Sequence, residues 1–321
     1  MKRGSDMTRA EYLVKLAEER VLVLDGAMGT MIQGLSLTTE DVSYDGRPPA
    51  FGCNEVLNLT RSDSIFAIHH TYLRAGADIV ETNTFGANAF SLAEYGLADC
   101  VYDINLAGAE IARAAVDAIE KEESDRFAFI AGVLGPTGKS ASLSHSVDDP
   151  AFRDITFDDF VAMYSEQVRA LLDGGVDLLL IETVFDTLVA KAAVVASLQV
   201  MEERKVEIPI MVSATFSDRS GRTLSGQTLD ALVATLSAYP LFSLGVNCST
   251  GAKEMIPLVR HLAEISPFRT SAHPNAGFPD QEGVYRQTPQ EFAQLLAQEL
   301  GARRLNIVGG CCGTTAQHIA A

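Results

Sequence analysis

The chain has 321 residues, 47% of them apolar, with 25 Lys and Arg against 42 Asp and Glu, a formal charge of −17. That apolar share is enough for a substantial core, while the negative charge, with no dense basic tract interleaved with aromatics, excludes nucleic acid as the expected partner. No charged leader and no run of roughly 18 apolar residues occurs, which predicts no membrane segment and a cytoplasmic location; five cysteines, two of them adjacent, point to reduced thiols or metal thiolates, not to a secreted disulfide framework.

Short apolar and β-branched runs alternate with longer amphipathic segments along the chain. VLVLDG (21–26) is followed by a Ser-, Asp-, Gly- and Pro-rich connection at 34–60 and a helical pattern at 62–75. ADIVETN (77–83) precedes a helix at 101–121. FAFIAGVLG (127–135) leads through a second long connection, 136–156, to a helix at 157–173. VDLLLIET (176–183) and PIMVSATF (209–216) precede helices at 187–203 and 228–238. FSLGVNCS (242–249) and RTSAHPNAG (269–277) follow, then a helix at 289–300 and RLNIVGG (304–310). Eight strand-and-helix units with mostly continuous apolar strands predict an α/β fold, a (β/α)8 TIM barrel whose long βα loops overhang the C-terminal face. A doubly wound open sheet is disfavoured because no GxGxxG follows the first strand. The span 1–321 reads as one domain, and the few residues after the eighth strand predict the N-terminal part of a longer polypeptide.

On such a barrel the chemistry sits at the strand C-termini. The polar residues there are Asp25, Glu81, Thr82, Asn83, Glu182, Asn247, Cys248, His273, Asn275, Cys311 and Cys312. Three thiolates suit zinc and leave a fourth position for water or substrate, and glycines at 309, 310 and 313 let neighbouring cysteines turn toward one ion. Cysteine is also a small buried hydrophobe; that reading fits the isolated Cys53 and Cys100, and for the other three both readings stay open because no CxxC repeat marks the site. His69 and His70 lie on a helix away from any strand tip and read as a packing or exposed pair. Glu182 follows the apolar run 178–181, and a partly desolvated carboxylate there wants a cationic partner.

LDGAMGT (24–30), GCNEVLNLT (52–60), AGADIVETNTFGAN (75–88), IETVFDT (181–187), GVNCSTG (245–251), PNAGFP (274–279) and GGCCGTT (309–315) occur in this order. Together they resemble the homocysteine-binding domain of cobalamin-dependent methionine synthase. The resemblance implies a zinc-dependent homocysteine S-methyltransferase barrel, with Cys248, Cys311 and Cys312 as zinc ligands and Asn275 as an oxygen ligand when substrate is absent. It also implies that Glu182 and Asp25 bind the ammonium of homocysteine, and that backbone N–H groups near Gly26 and the turn formed by Thr82 and Asn83 bind its carboxylate. Zinc would favour the substrate thiolate for methyl transfer from methylcobalamin, giving methionine. No DxHxxG signature or second barrel is present, so cobalamin-binding and methyltetrahydrofolate-binding modules would be separate partners. The alternatives are relatives that use S-methylmethionine or betaine, and a non-catalytic homocysteine-binding subunit. A hydrolase barrel would need several His and carboxylate ligands, for which only His273 is placed.

Overall fold

The protein is described by a computed structural model covering residues 7–144, 146–217 and 220–321. Eight strands form one parallel sheet: β1 (Leu22–Val23), β2 (Ile79–Glu81), β3 (Phe129–Leu134), β4 (Leu178–Val184), β5 (Ile210–Ala214), β6 (Ser243–Gly251), β7 (Arg269–Asn275) and β8 (Ile307–Val308). Their order runs β1-β8-β7-β6-β5-β4-β3-β2. The bridge Leu24 to Ile79, with hydrogen bonds from Asp25 N to Ile79 O (3.0 Å) and Asp78 N to Val23 O (2.7 Å), joins the two ends and closes the ring. This is the predicted (β/α)8 barrel; six of the eight predicted runs contain their strand, and β4 and β6 run on past theirs, to Val184 and Gly251.

Strand alternation divides the apolar residues into two cores. Leu22, Leu24, Ile79, Phe129, Ala131, Val133, Leu178, Leu180, Met211 and Ile307 fill the barrel interior. Their neighbours Val80, Ile130, Leu179, Ile181, Val212, Leu244, Val246 and Ala272 face outward into a larger core beneath the helices. The interior is therefore apolar at its N-terminal end and becomes polar toward the strand C-termini, where the same inward parity delivers Glu81, Glu182, Ser213, Asn247 and His273.

The six predicted helices appear as Ser62–Arg74, Val101–Glu122, Phe157–Asp173, Thr187–Arg204, Leu229–Leu236 and Pro289–Gly301. Outside those segments, among the described residues, lie four short helices, Met28–Gln33, Leu57–Thr60, Ala89–Ala93 and Ala316–Ala320, and two longer ones. Ala252–Ile265 fills the crossover from β6 to β7 despite Pro257 in its interior. Arg9–Glu19, started by a Thr8–Glu11 capping box, puts Tyr12, Leu13 and Ala17 against the interior core and plugs the N-terminal end of the barrel. Arg9 fixes it there through ion pairs to Glu120 (2.7 Å) and Asp177 (3.2 Å). Among the described residues no helix is long and apolar enough to cross a membrane.

The two long connections sit on the C-terminal face and are ordered by specific contacts. The first contains a 3₁₀ turn, Asn54–Val56, and a helical turn, Leu57–Thr60. The second is held by Asp186, which accepts hydrogen bonds from Ser140 Oγ (2.5 Å), Ala141 N (2.9 Å), Ser142 N (2.8 Å), Ser142 Oγ (2.6 Å) and Leu188 N (2.9 Å). Burial alone would raise the pKa of this carboxyl; the bonds from Ser140, Ser142 and Leu188 outweigh it and hold the group below the usual carboxylate range. A depressed folded pKa contributes stability above the ordinary value, about 4, that is lost as pH falls through the folded one. Asp186→Asn should therefore lower unfolding stability by about 2 kcal/mol at pH 7 and expose 136–156 to limited proteolysis. The difference from wild type should shrink below about pH 4, and a pH-independent difference in denaturant titrations would contradict this account.

Candidate metal and substrate site

Both strands that present the central residues break their register just before the barrel mouth. In β4 the pairing with β5 shifts between Ile181 and Val184, and Thr183 adopts φ +57°. In β6 the pairing with β7 shifts between Asn247 and Gly251, and Cys248 and Ser249 adopt φ +59° and +64°. Left-handed backbone at non-glycine residues is unfavourable and persists where neighbours over-determine it. Here the determinant is Asn247, only 1% exposed. Its Oδ1 accepts from Thr183 N (3.0 Å) and Ser213 Oγ (2.8 Å), and its Nδ2 donates to Thr183 Oγ1 (2.8 Å) and Glu182 Oε2 (3.5 Å). Its carbonyl accepts from Thr215 Oγ1 at 2.8 Å.

The kink after Asn247 brings Cys248 to the cysteine pair that follows β8. Cys248, Cys311 and Cys312 place their sulfurs within 4.8 Å of one another, and the Cys248 and Cys312 sulfurs are 3.8 Å apart. Two thiolates about 2.3 Å from a tetrahedral zinc stand about 3.8 Å apart, so the trio has the spacing of a metal-thiolate set. All three are half-buried and free of disulfides, whereas Cys53 and Cys100 are buried apart from them. Contacts with Cys248 and Cys311 pull Cys312 down to about 3, while contacts with Cys248 and Cys312 push Cys311 well above the usual thiol range. For Cys248 the Cys311 contact acts downward but is outweighed by the Cys312 contact and burial, giving about 11.

The loop after β7 supplies the rest of the wall. Cys311 N donates to Pro274 O (2.8 Å) and Ala276 N to Cys312 O (2.9 Å), so Asn275 is clamped beside the pair. Asn275 is 3% exposed and its Oδ1 has no hydrogen-bond partner, a buried acceptor suited to an electropositive atom. Tyr285, on a hairpin closed by the Pro279–Tyr285 bridge, hydrogen-bonds Cys312 through its phenol; burial, then the Cys312 charge, push its own pKa up to about 12. Its ring lies against Gly313, where φ is +79° and a Cβ would overlap it. Beneath the cysteines the first and last loops are stitched together: Thr314 Oγ1 accepts from Ala27 N (3.2 Å) and donates to Cys311 O (2.7 Å), and Gly313 N donates to Thr30 Oγ1 (3.0 Å). Tyr72 OH donates toward Ala27 O (3.2 Å) and Thr314 O (3.3 Å). Gly26 passes so close that a Cβ there would lie 2.8 Å from Thr314 Oγ1 and 2.9 Å from the Tyr72 ring.

Carboxyl groups line the rest of the mouth. Glu182 is 8% exposed, and burial, with the Cys312 charge adding to it, pushes its carboxyl up to about 7. Asp25, 2% exposed, accepts from Glu81 N at 3.1 Å through Oδ2 while its Oδ1 has no partner. Burial raises it well above the usual range, against the Glu81 amide bond and with the Glu182 charge. Thr82 and Asn83 are both buried, but their side chains are engaged in the scaffold. Thr82 Oγ1 bonds Val133 N (3.0 Å) and Thr84 Oγ1 (2.7 Å), and Asn83 Nδ2 bonds Asn54 O (2.8 Å) and Asn58 Oδ1 (3.0 Å). A carboxylate contact from this turn is thus left to the main chain. His273 and His69 are buried with unpartnered ring nitrogens, and burial lowers each to about 4, keeping both neutral. His69 is fully buried on its helix and His70 bonds Glu122 at 3.0 Å.

Asn247 and Glu81 are strand ends to which the sequence assigns no role, and no role is legible there for Tyr285, Tyr72 or Thr314. Inward parity with Ile79 marks Glu81. Nothing local marks Tyr285, which a loop hairpin carries over the cysteines.

A model of the homocysteine S-methyltransferase family matches residues 22–321. The chain belongs to that family. It is accordingly an enzyme, a methyltransferase. Among solved structures, the metallated form of the homocysteine methyltransferase MmuM from Escherichia coli matches with a TM-score of 0.75 and 26% identity, over 98% of each chain. The apo form of the same protein matches at 0.68 and 25% over 95% of each chain. Its oxidized form, at 0.74 and 24% over 96% of this chain and 97% of that one, adds likeness of fold.

Two outcomes are expected of the site in this S-methyltransferase chain. Cys248→Ser, Cys311→Ser and Cys312→Ser should each lose stoichiometric zinc by elemental analysis, while Cys53→Ser and Cys100→Ser keep it; full retention in Cys311→Ser would remove the trio as the metal site. Asn247→Ala, which frees both kinks, should lower unfolding stability by about 2–4 kcal/mol and weaken zinc retention against a chelator. Retention equal to wild type would show that Asn247 does not position Cys248.

Proposed function

We propose that this chain is a zinc-dependent homocysteine S-methyltransferase that makes methionine from a methyl group delivered by methylcobalamin on another module. The observation that carries the reading is the juxtaposition of three clustered sulfurs with buried carboxyls that have no cation of their own. One wall suits a soft metal ion and a thiol, the other an ammonium, and homocysteine carries a thiol and an ammonium on one short chain.

Cys248, Cys311 and Cys312 would hold the ion, with Asn275 Oδ1 as an oxygen donor. Zinc, when bound, would supply the Lewis acidity that favours the deprotonated form of a thiol, which otherwise has a pKa of about 8.5. Asp25 and Glu182 bind the substrate ammonium, an interaction that offsets their own burial. Backbone N–H groups at Gly26 and at the turn of Thr82 and Asn83 take its carboxylate. The Tyr285 phenol donates to Cys312 and moderates the charge of that sulfur. With both ends of the amino acid held, the substrate sulfur is aimed out of the mouth toward the donor. The sulfur lone pair forms the S–CH3 bond as the bond from methyl to donor breaks, and that electron pair leaves with the donor.

A second reading takes the methyl group from a free small molecule such as S-methylmethionine or betaine. It is supported by the likeness to MmuM, a homocysteine methyltransferase 98% of whose chain is covered by a barrel like this one. Zinc-replete protein with homocysteine should be offered methylcobalamin, S-methylmethionine and betaine separately. Methionine from methylcobalamin is the expected result; methionine from either small donor alone would establish the second reading, and none from all three would overturn both.

Glu182→Gln should weaken homocysteine binding roughly tenfold or more, the effect of losing a charge-assisted contact, with zinc content unchanged. A thiol without the amino group should bind both proteins alike, so two ligands against two proteins isolate the ammonium contact. Equal weakening of both ligands would make Glu182 a support for the site and not a recognition group.

A further inference from the structure

One inward side chain at the mouth has chemistry that the proposed function leaves unused. Glu81 ends β2 with the same parity as Ile79 of the barrel interior, while Val80 between them faces the outer core. Its backbone N–H is the donor to Asp25 Oδ2 at 3.1 Å, so the two carboxyls leave neighbouring points of β1 and β2. Across the mouth stands Glu182 at the end of β4. Among the described residues no ion pair reaches Asp25, Glu81 or Glu182, and Asp25 Oδ1 is buried without a partner. The contrast with the rest of the barrel is informative. Buried Asp177 is met by Arg9 and Arg113, Asp78 by Arg20, and Glu299 by Arg260 and Arg304. Buried carboxyls without a guanidinium elsewhere are met by donors instead, Asp186 by two serine hydroxyls and three backbone N–H groups and Glu55 by Gly86 N, whereas the three at the mouth have no cation and Asp25 Oδ1 has no donor.

We propose that Glu81 is a third recognition residue for the substrate ammonium, setting, with Asp25 and Glu182, the preference for an amino-acid thiol over a simple thiol. The inference rests on the homocysteine reading above. Its chemistry is that of a half-buried carboxyl beside two buried ones, whose repulsion a single cation relieves for all three at once. Burial, then the charges of Glu182 and Asp25, push the Glu81 carboxyl well above the usual range, as expected of a group whose counter-charge comes with the ligand. An ammonium so placed meets more negative charge than one ion pair supplies, and an amine-free thiol gains nothing from it.

The test titrates zinc-loaded wild type, Glu81→Gln, Glu81→Asp and Glu182→Gln with homocysteine and with 4-mercaptobutyrate, the same thiol acid without its amino group. Glu81→Gln should weaken homocysteine roughly tenfold or more while 4-mercaptobutyrate stays within about twofold, with zinc content unchanged. Glu81→Asp, which keeps the charge on a shorter arm, should show a smaller loss with the same selectivity, and it decides the matter should the Gln variant not fold. Equal weakening of both ligands, or none, would overturn the proposal. If Glu182→Gln loses homocysteine selectively and the Glu81 variants do not, this inference alone fails; if wild type binds no homocysteine, the functional reading fails with it.

Discussion

A single buried amide holds two broken strands in place, and the site depends on it. Parallel strands normally continue their ladder to the end, and leaving it early forfeits hydrogen bonds that must be replaced. β4 and β6 both leave early, one to aim Glu182 and the other to aim Cys248. Asn247 receives the freed Thr183 N–H and donates back to Thr183 and Glu182, so the two departures share one side chain. Bulges of this kind re-aim side chains near functional sites. The carboxyl wall and the sulfur wall are therefore not independently placed. The separation of Glu182 from Cys248 is set by one rigid group, as the proposed span between an amine and a sulfur would need.

The mouth is the least favourable part of the molecule. Thr183, Cys248 and Ser249 sit in left-handed backbone, which costs of order 1–3 kcal/mol each, and three carboxyls are close together without cations. Against this stand the double apolar core of the barrel and the helix Arg9–Glu19 plugging its far end. The polarity gradient along the interior separates the two jobs: stability is concentrated at the N-terminal half and chemistry at the other.

The fold was legible because burial on both faces makes parallel strands into uninterrupted apolar runs, and every strand falls on a predicted run, with β4 and β6 extending past the ends of theirs. β1 and β8 shrink to two residues apiece within their runs, and just past them the chains pack closely, a Cβ at Gly309 standing 2.8 Å from the Leu24 side chain. The helix Ala252–Ile265 escaped notice, as did Arg9–Glu19, which has no place in the strand-then-helix alternation. The convergence of Cys248 with Cys311 and Cys312 followed from barrel topology: residues 63 and 64 positions apart share a face when both end inward-facing strands. The roles of Thr82 and Asn83 did not follow in the same way. Their side chains are taken by Val133, Thr84, Asn54 and Asn58, contacts between loops that no local pattern announces. Tyr285 was hidden for the same reason.

The stitching of residues 26–30 to residues 311–314 also orders events in time. Ala27 and Thr30 reach their partners across more than 280 positions of chain, the kind of contact whose loop-closure entropy delays its formation. A polypeptide emerging from the ribosome can complete seven strands while Cys248 still stands alone, without the vicinal pair and without the clamp from the first loop. Vectorial synthesis thus leaves the thiol cluster to be assembled last, by the same closure that turns a curved sheet into a ring. A partly made chain offers metal ions one cysteine at this locus, and the finished one offers three together.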